Sequence, residues 1–372
     1  MIDPHVHLRD WAQAEKETLD HGLSLAWRLG ISAVFEMPNT DPPLTSRDTV
    51  RRRIAEADAV RERRGIPIFH GLYAGITPDP RQLEEIVRLH QDLFPRVVGF
   101  KLFAGHSTGH MGVVSREEQA LVWNTLAALD YRGVVAVHAE TEDVLRPDLW
   151  DPAHPRSHGA ARPVAAEIHS VRQQIELATA AGFRGAIHIC HVTTPAVLDI
   201  IAEAHAGSDT DPDARADISA STDAGPGFSV RGGVTPHHAL LSEELADRSP
   251  VPEWKVNPPL RDRETQTALL RRLESGGAGW IESDHAPHTW ADKRAGASGI
   301  PGLHAFRFLR DLLADRCGRE FAEHLSHGAV LAAFGIPEST IPRNPAADAR
   351  WSFRDAADEY PWDPYRFLSI RA

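Results

Sequence analysis

The chain has 372 residues, of which 42% are hydrophobic and 25% charged, a composition typical of a soluble globular protein with a large core. This length is ordinary for one α/β barrel that carries insertions. A formal net charge of -12 argues against a nucleic-acid surface or an anionic membrane as partner, yet it leaves a small anionic substrate open. The two cysteines, Cys190 and Cys317, are too few for a disulfide scaffold. Because no signal peptide or membrane span is predicted either, we expect a cytoplasmic protein.

Short apolar runs alternate with longer amphipathic stretches through most of the sequence. After a strand at the extreme N-terminus, strands are predicted at 32–37, 67–73, 97–103, 133–138, 185–189, 228–235 and 280–283. Helices are predicted at 18–29, 47–61, 81–89, 116–129, 164–180 and 264–273. Continuous apolar strands, unlike alternating ones, indicate a parallel sheet that is covered on both faces. About eight strands favour a closed (β/α)8 TIM barrel over a doubly wound sheet.

The predicted barrel domain spans residues 1–341. Within it, the segment 207–227 is rich in Asp, Ser, Ala and Gly, and we interpret it as a surface insertion. Residues 342–372 are rich in Pro, Asp and Arg, with scattered Trp and Tyr. We expect them to form a C-terminal tail packed on the barrel rather than a second domain.

The first predicted strand carries two histidines, His5 and His7, two positions apart. Residues with this spacing point to the same side of a strand. At the C-terminal end of a barrel strand, that side is the mouth of the pocket. Among 21 histidines such a pair also arises by chance, so by itself it is a modest signal for a metal site.

Lys101 lies in the middle of an apolar strand, and the sequence leaves two interpretations open. Its side chain either extends to the barrel rim or pairs with a carboxylate, as a structural lysine does. Alternatively it reacts with CO2, and the resulting carbamate is an anionic oxygen ligand that can bridge two metals.

Three further histidines and an aspartate accompany later strands. His138 and His191 stand where an apolar strand gives way to a loop, whereas His188 lies inside its strand and is more typical of a structural residue. Asp284 closes the last predicted strand, where a carboxylate can bind a metal and shuttle a proton. The alternative for Asp284 is an N-cap of the following segment.

Together these residues form a stronger pattern than any one of them. Histidines, a lysine and an aspartate fall at the ends of predicted strands one, four, five, six and eight. Neutral imidazoles combined with carboxylate-type oxygens favour a borderline metal, zinc first, with manganese or cobalt as substitutes.

Several longer motifs add a family resemblance that extends from residue 3 to about 303. They are Met-Pro-Asn-Thr at 37–40, Lys-Val-Asn-Pro-Pro-Leu-Arg at 255–261, Asp-His-Ala-Pro-His at 284–288 and Ser-Gly-Ile-Pro-Gly at 298–302. With the histidines and Lys101, they resemble the amidohydrolase superfamily and, within it, the dihydroorotase family of cyclic amidohydrolases. The resemblance implies a TIM barrel of the metal-dependent hydrolase type. Because the chain begins at the strand with the histidine pair and ends soon after the barrel, we expect no accessory β-sandwich.

The resemblance also implies a two-zinc centre and its chemistry. The implied ligands are His5, His7, Lys101, His138, His191 and Asp284. His5, His7 and Asp284 would hold one zinc and His138 and His191 the other, with carbamylated Lys101 and a hydroxide bridging the two. The implied reaction is reversible hydrolysis of L-dihydroorotate to N-carbamoyl-L-aspartate in de novo pyrimidine biosynthesis. Hydroxide would attack the ring amide, and Asp284 would take the proton and return it to the leaving nitrogen.

Substrate contacts follow from the same resemblance. Arg9, Asn39 and His288 match positions that bind the exocyclic carboxylate, for which an arginine fork is well suited. The alternatives are a salt bridge between Arg9 and an acid such as Asp10, and turn chemistry for Asn39. Asn257 matches a residue that touches the ring, although a loop former would look the same.

A Gly-, Ser- and Thr-rich loop follows Lys101. It resembles the mobile lid of shorter bacterial dihydroorotases, in which case Ser107 and Thr108 would reach the substrate; any flexible loop has a similar composition. From relatives we further expect a homodimer, with association to aspartate carbamoyltransferase as an open option. Competing functions are another cyclic amidohydrolase, of the allantoinase or dihydropyrimidinase type, or an inactive structural partner of that carbamoyltransferase.

Overall fold

A computed structural model describes residues 1–106, 111–206, 227–366 and 368. Eight parallel strands form one sheet in the order β1 to β8. The strands are β1 (Ile2–Val6), β2 (Ala33–Glu36), β3 (Phe69–Gly75), β4 (Val97–Ala104), β5 (Val134–Ala139), β6 (Ala186–Ile189), β7 (Ser229–Val234) and β8 (Trp280–Ile281).

Helices follow the strands and cover the outside of the sheet. They are α1 (Leu19–Arg28), α2 (Arg47–Arg64), α3 (Pro80–Leu93), α4 (Arg116–Ala128), α5 (Ser157–Ala161), α6 (Val164–Ala181), α7 (Pro195–Ala206), α8 (Pro236–Leu240), α9 (Arg263–Glu274), α10 (Trp290–Arg294), α11 (Leu303–Cys317), α12 (Arg319–Glu323), α13 (Ala329–Phe334) and α14 (Phe353–Ala357). Among the described helices, none is long and apolar enough to cross a membrane.

The sheet curls until its last strand meets its first. Just beyond β8, His285 forms a parallel bridge with Val6, and the His7 amide donates to the His285 carbonyl at 2.7 Å. This contact nearly closes a (β/α)8 barrel and confirms the predicted TIM-barrel fold. It also brings the ends of β1 and β8 together, which is where the predicted ligands from those two strands stand.

The local sequence explains where the helices begin and end and which of their faces is buried. Ser46 caps α2 through a capping box with Thr49, and Gly65 ends it in the left-handed region with φ of 63°. On α3, the buried residues Leu83, Ile86 and Val87 follow the three- and four-residue spacing of one apolar face. Every residue of β3, β4 and β5 is buried, as expected for parallel strands between a filled interior and a layer of helices.

An aromatic cluster fills the barrel interior below the pocket. Phe334, at the end of α13, packs edge-on against Phe35 and Tyr73, with ring centroids 5.1 and 6.2 Å apart. It also meets the rings of His188 and Trp280 at 6.5 and 5.9 Å. The helices between residues 303 and 334, which no sequence pattern predicted, therefore supply the residue that closes the amino-terminal side of the barrel.

Beyond the barrel, the chain returns to its carboxyl-terminal face. Tyr360 donates to Glu17 at 2.9 Å, and the Trp362 indole donates to the His288 carbonyl at 3.2 Å. The described part of the tail thus contacts the loops around the pocket, while the division into barrel and tail stays a prediction. The insertion predicted at 207–227 lies outside the described residues except for Gly227.

Candidate metal centre and active site

The carboxyl-terminal ends of the strands surround a cavity of about 400 Å³. A volume of this size suits a small-molecule ligand. Nine of the twelve site residues predicted from the sequence line this cavity, and a tenth lies beside them. These are His5, His7, Arg9, Asn39, Lys101, His138, His191, Asn257, Asp284 and, at the rim beside Arg9, His288. The remaining two, Ser107 and Thr108, lie outside the described residues.

The histidine pair of β1 converges on Asp284. Both side chains present Nε2 to the same carboxylate oxygen, Oδ1, at 3.3 Å for His5 and 3.1 Å for His7. The three ligand atoms lie within 4.8 Å of one another, and all three residues are buried. The arrangement can hold a metal ion, because two imidazole nitrogens and a carboxylate oxygen face one point.

Asn39 sets which nitrogen of His7 is available. Its side-chain Oδ1 lies 2.5 Å from His7 Nδ1, and since an amide oxygen can only accept, Nδ1 carries the proton. The Nε2 lone pair then faces Asp284. Burial also lowers the pKa of His7 to about 4, so the ring is neutral and able to ligate at neutral pH.

His138 and His191 form a second pair, and the centre of the His191 ring lies 5.4 Å from that of His5. His138 Nδ1 lies 3.1 Å from His191 Nε2, while His138 Nε2 lies 3.0 Å from Glu140. Burial lowers the pKa of both imidazoles, which keeps them neutral. Burial alone would raise the pKa of Glu140, but the guanidinium of Arg162 holds it below its usual range. Glu140 is therefore a carboxylate that fixes Nδ1 of His138 as the nitrogen facing the cavity.

Lys101 reaches the cavity from the middle of β4 and is only 1% exposed. Its Nζ lies 3.0 Å from Cys190 Sγ and 5.1 Å from the centre of the Phe103 ring. Among the described residues, no carboxylate lies within 4.0 Å of this amine. The interpretation of Lys101 as a lysine paired with an acid therefore finds no partner in this part of the chain.

Two of the predicted ligands have unusual backbone conformations. His191 and Asp284 have φ of 42° and 46°, in the left-handed region that non-glycine residues seldom adopt. Both lie just past the end of a strand, where the chain turns away from the barrel. Burial would raise the pKa of Asp284, but the neighbouring imidazoles of His5 and His7 lower it overall, so the group is a carboxylate.

Arg9 provides a positive charge beside the histidine pair. It is 2% exposed, its Nε donates to the Pro287 carbonyl at 3.2 Å, and its Nη2 lies 3.2 Å from His288 Nε2. Burial lowers the pKa of Arg9 to about 10, which still leaves the guanidinium charged at neutral pH. Within the described chain, no carboxylate lies within 4.0 Å of it, so the alternative of an Arg9–Asp10 salt bridge is wrong there.

The loops that carry the motifs 255–261 and 298–302 are joined by hydrogen bonds at the rim. Asn257 Oδ1 accepts from the Ser298 hydroxyl at 3.2 Å and faces His158 Nε2 at 3.0 Å. Lys255 Nζ in turn donates to the Ser298 hydroxyl at 2.9 Å and to the Gly296 carbonyl at 2.8 Å. Asn257 thus lies on the cavity wall and is also part of the framework between the two loops.

Sequence reasoning missed two buried carboxylates, Glu140 and Glu282, that touch the ligand histidines. Glu282 contacts His5 and His188, and with Cys190 and His5 it makes a second group whose ligand atoms lie within 4.8 Å of one another. Each carboxylate stands in or beside an apolar strand, and a charge in such a place was the available signal. His188 lies in the barrel interior against Trp280, consistent with the structural role predicted for it.

Comparison with known proteins identifies sequence relatives of the chain. No family model matches it. The dihydroorotase of Thermococcus kodakarensis is 33% identical over 308 residues, which cover 82% of this chain and 59% of that protein. The dihydroorotase of Brevibacillus brevis is 31% identical over 319 residues, covering 83% and 66%, respectively. The chain therefore spans about three fifths of the length of the curated relatives it matches.

Solved structures share the fold at lower identity. The L-hydantoinase (dihydropyrimidinase) of Arthrobacter aurescens matches with a TM-score of 0.74 and 23% identity, over 93% of this chain and 73% of that one. The Saccharomyces cerevisiae dihydroorotase in complex with 5-fluoroorotic acid matches with a TM-score of 0.68 and 17% identity, over 91% and 85%. These structures share the barrel fold, and the sequence relatives place the chain in the family of the dihydroorotases.

Proposed function

We propose that this protein is a metal-dependent dihydroorotase, which hydrolyses the ring amide of L-dihydroorotate and closes N-carbamoyl-L-aspartate in the reverse direction. The dihydroorotase names of the sequence relatives support this substrate. In a cell the ring-closing direction would serve pyrimidine synthesis.

The observation that carries the proposal is the buried charge of Arg9 beside the histidines. A guanidinium without a carboxylate partner within the described chain is costly to bury unless a ligand supplies the missing anion. Dihydroorotate carries such a carboxylate on its ring, whereas dihydrouracil and allantoin do not. His288 and Asn39 flank Arg9 and the histidine pair, and so stand where this carboxylate would bind.

The side chains around the cavity fit a pair of zinc ions. His5, His7 and Asp284 would hold one ion and His138 and His191 the other, with Lys101, as a carbamate, between them. The fit rests on neutral imidazoles, on a carboxylate and on the close approach of two nitrogens, His138 Nδ1 and His191 Nε2, at 3.1 Å. When bound, the metal pair supplies Lewis-acid polarisation of the amide carbonyl and lowers the pKa of water.

Asp284 would move the proton in this reaction. Its carboxylate is ionised, so it can accept the proton of the attacking water at Oδ1 or Oδ2 and then donate it to the leaving ring nitrogen. Arg9 and Asn257, which line the same cavity, would hold the ring and thereby present the amide to Asp284. Burial of the whole site limits the water that competes for the same groups.

The test is hydrolysis of L-dihydroorotate, followed by ultraviolet absorbance, with zinc-loaded protein in bicarbonate buffer. Allantoin and dihydrouracil serve as comparison substrates, and the variant Lys101→Ala serves as control. We expect a much higher kcat/KM for dihydroorotate than for the other two substrates, and loss of activity in the variant. Turnover of allantoin or dihydrouracil in preference would instead establish a different cyclic amidohydrolase, and a zinc-loaded protein inactive on all three would favour the structural-partner alternative.

A further inference from the structure

Glu282 lies beneath the candidate metal centre and touches groups from three strands. One carboxylate oxygen, Oε1, accepts from the backbone N–H of His191 at 2.6 Å and lies 3.4 Å from His5 Nδ1. The other, Oε2, accepts from the Trp280 indole at 3.0 Å and lies 2.6 Å from His188 Nε2. The side chain is fully buried, so these contacts are its whole polar environment within the described chain.

The chemistry of these contacts fixes where the protons lie. A backbone N–H and an indole N–H can only donate, so each oxygen of Glu282 already acts as an acceptor. An imidazole nitrogen that faces such an oxygen is stable only when it carries hydrogen. His5 Nδ1 therefore carries a hydrogen toward Glu282, so that Nε2, which lies 3.3 Å from Asp284, is the nitrogen that would bind a metal.

The same carboxylate supports the other predicted ligand strand. His191 has φ of 42°, and the hydrogen bond from its backbone N–H to Glu282 offsets part of the cost of that conformation. Room for the carboxylate comes from β7, because a Cβ at Gly233 would lie 2.1 Å from Glu282 Oε2. Four strands thus meet at this one side chain.

We infer that Glu282 is a positioning residue of the metal centre, which sets the tautomer of His5 and the backbone angle of His191 without binding metal itself. Hydrogen-bonded carboxylates behind ligating histidines commonly change metal affinity by about 10- to 100-fold. Metal binding by Glu282 together with His5 and Cys190 is disfavoured, because both oxygens of Glu282 are already engaged by obligate donors. The inference rests on the proposed metal-dependent function.

The discriminating variant is Glu282→Gln. An amide of the same shape has one acceptor oxygen, so its NH2 group must face the N–H of either His191 or Trp280. A second variant, Gly233→Ala, keeps the Glu282 carboxylate but forces it to move, because the new methyl group would overlap with it. The control is Glu253→Gln, since Glu253 is 2% exposed and accepts from Arg366 at 2.8 Å, away from the centre.

Zinc affinity and stoichiometry are measured by chelator competition. The visible spectrum is recorded for the Co2+-loaded protein. We expect zinc affinity to fall at least tenfold in Glu282→Gln and Gly233→Ala, with an altered Co2+ spectrum, and to stay at the wild-type value in Glu253→Gln. Wild-type affinity and an unchanged spectrum in both test variants would overturn the inference while leaving the proposed function intact. If Glu282→Gln does not fold, Gly233→Ala alone decides.

A metal-free readout separates this inference from the proposed function. In protein with 15N-labelled histidine, the resonances of His5, assigned by their loss in His5→Gln, report its tautomer directly. We expect hydrogen on Nδ1 in the wild type and a mixture of tautomers in Glu282→Gln. A wild-type His5 whose Nδ1 carries no hydrogen would contradict the role of Glu282, whether or not the protein binds zinc.

Discussion

Replacing Arg9 by methionine removes the positive charge from the cavity but keeps an apolar stem of similar length. In the structure Arg9 Nε is already used by the Pro287 carbonyl and Nη2 lies 3.2 Å from His288 Nε2, which leaves Nη1 and the remaining hydrogen of Nη2 for a ligand carboxylate. A hydrogen bond to a charged group contributes about 1.5–3 kcal/mol, so losing two raises the barrier by about 3–6 kcal/mol. At about 1.4 kcal/mol per tenfold, kcat/KM for dihydroorotate should fall by about 10² to 10⁴.

The matched comparison uses Arg9→Lys and a substrate without a carboxylate. Lysine offers a point charge instead of the two-pronged guanidinium, so kcat/KM for dihydroorotate in Arg9→Lys should lie between the values of the wild type and Arg9→Met. Turnover of dihydrouracil, measured in the same assay, should change little in either variant. If Arg9→Met lowers both activities equally, or lowers neither by more than about threefold, Arg9 does not bind the substrate carboxylate and the reasoning from its buried charge is refuted.

Three further outcomes follow from the geometry. Lys101→Ala should bind fewer zinc ions per chain than the wild type, as measured by atomic absorption after dialysis. Added bicarbonate should not restore the missing zinc, and full zinc occupancy in the variant would argue against a bridging carbamate. The metal-free protein should lose stability as pH falls from about 6.5 toward 3, because burial lowers the pKa of His158 to about 3 and the unfolded chain binds the proton first. Urea unfolding should show a shallower pH slope in His158→Gln, and an identical slope would exclude this group. Glu36→Ala should destabilise the fold by about 3–5 kcal/mol in the same unfolding assay, since it leaves buried Arg53 with no carboxylate nearer than Asp10 at 4.0 Å within the described chain; a loss below about 1 kcal/mol would mean that water reaches Arg53.

Local signals made much of this fold predictable. The apolar runs that become β4 and β5 are continuous, and in the structure every residue in both strands is buried. The strand-end position of Asp284 was visible because this carboxylate stands three residues after Ile281, the last apolar residue of the strand. Helices α11 to α13 were not predicted, and with them the contact of Phe334 with the barrel interior, because that contact joins residues some 300 positions apart.

Contacts across the barrel could not be predicted from the sequence either, because they too join residues that are far apart along the chain. Glu282 meets His5 and His191 only because β8 closes against β1 and lies one strand away from β6. No spacing rule links those positions, since the distance between them is set by the circumference of the sheet. The choice of tautomer at His7 likewise depends on Asn39, which comes from the loop after another strand.

The left-handed backbone at His191 and Asp284 has a consequence for engineering. A designer who copied the ligand side chains onto an ideal barrel, with regular strands up to the rim, would aim both groups in the wrong direction. The loops that bend the chain at these two positions, and the contacts that stabilise the bend, would have to be transplanted together with the ligands. A design that reuses this site would therefore have to transfer the strand-to-loop junctions and the side chains that support them, and the ligand residues alone would not suffice.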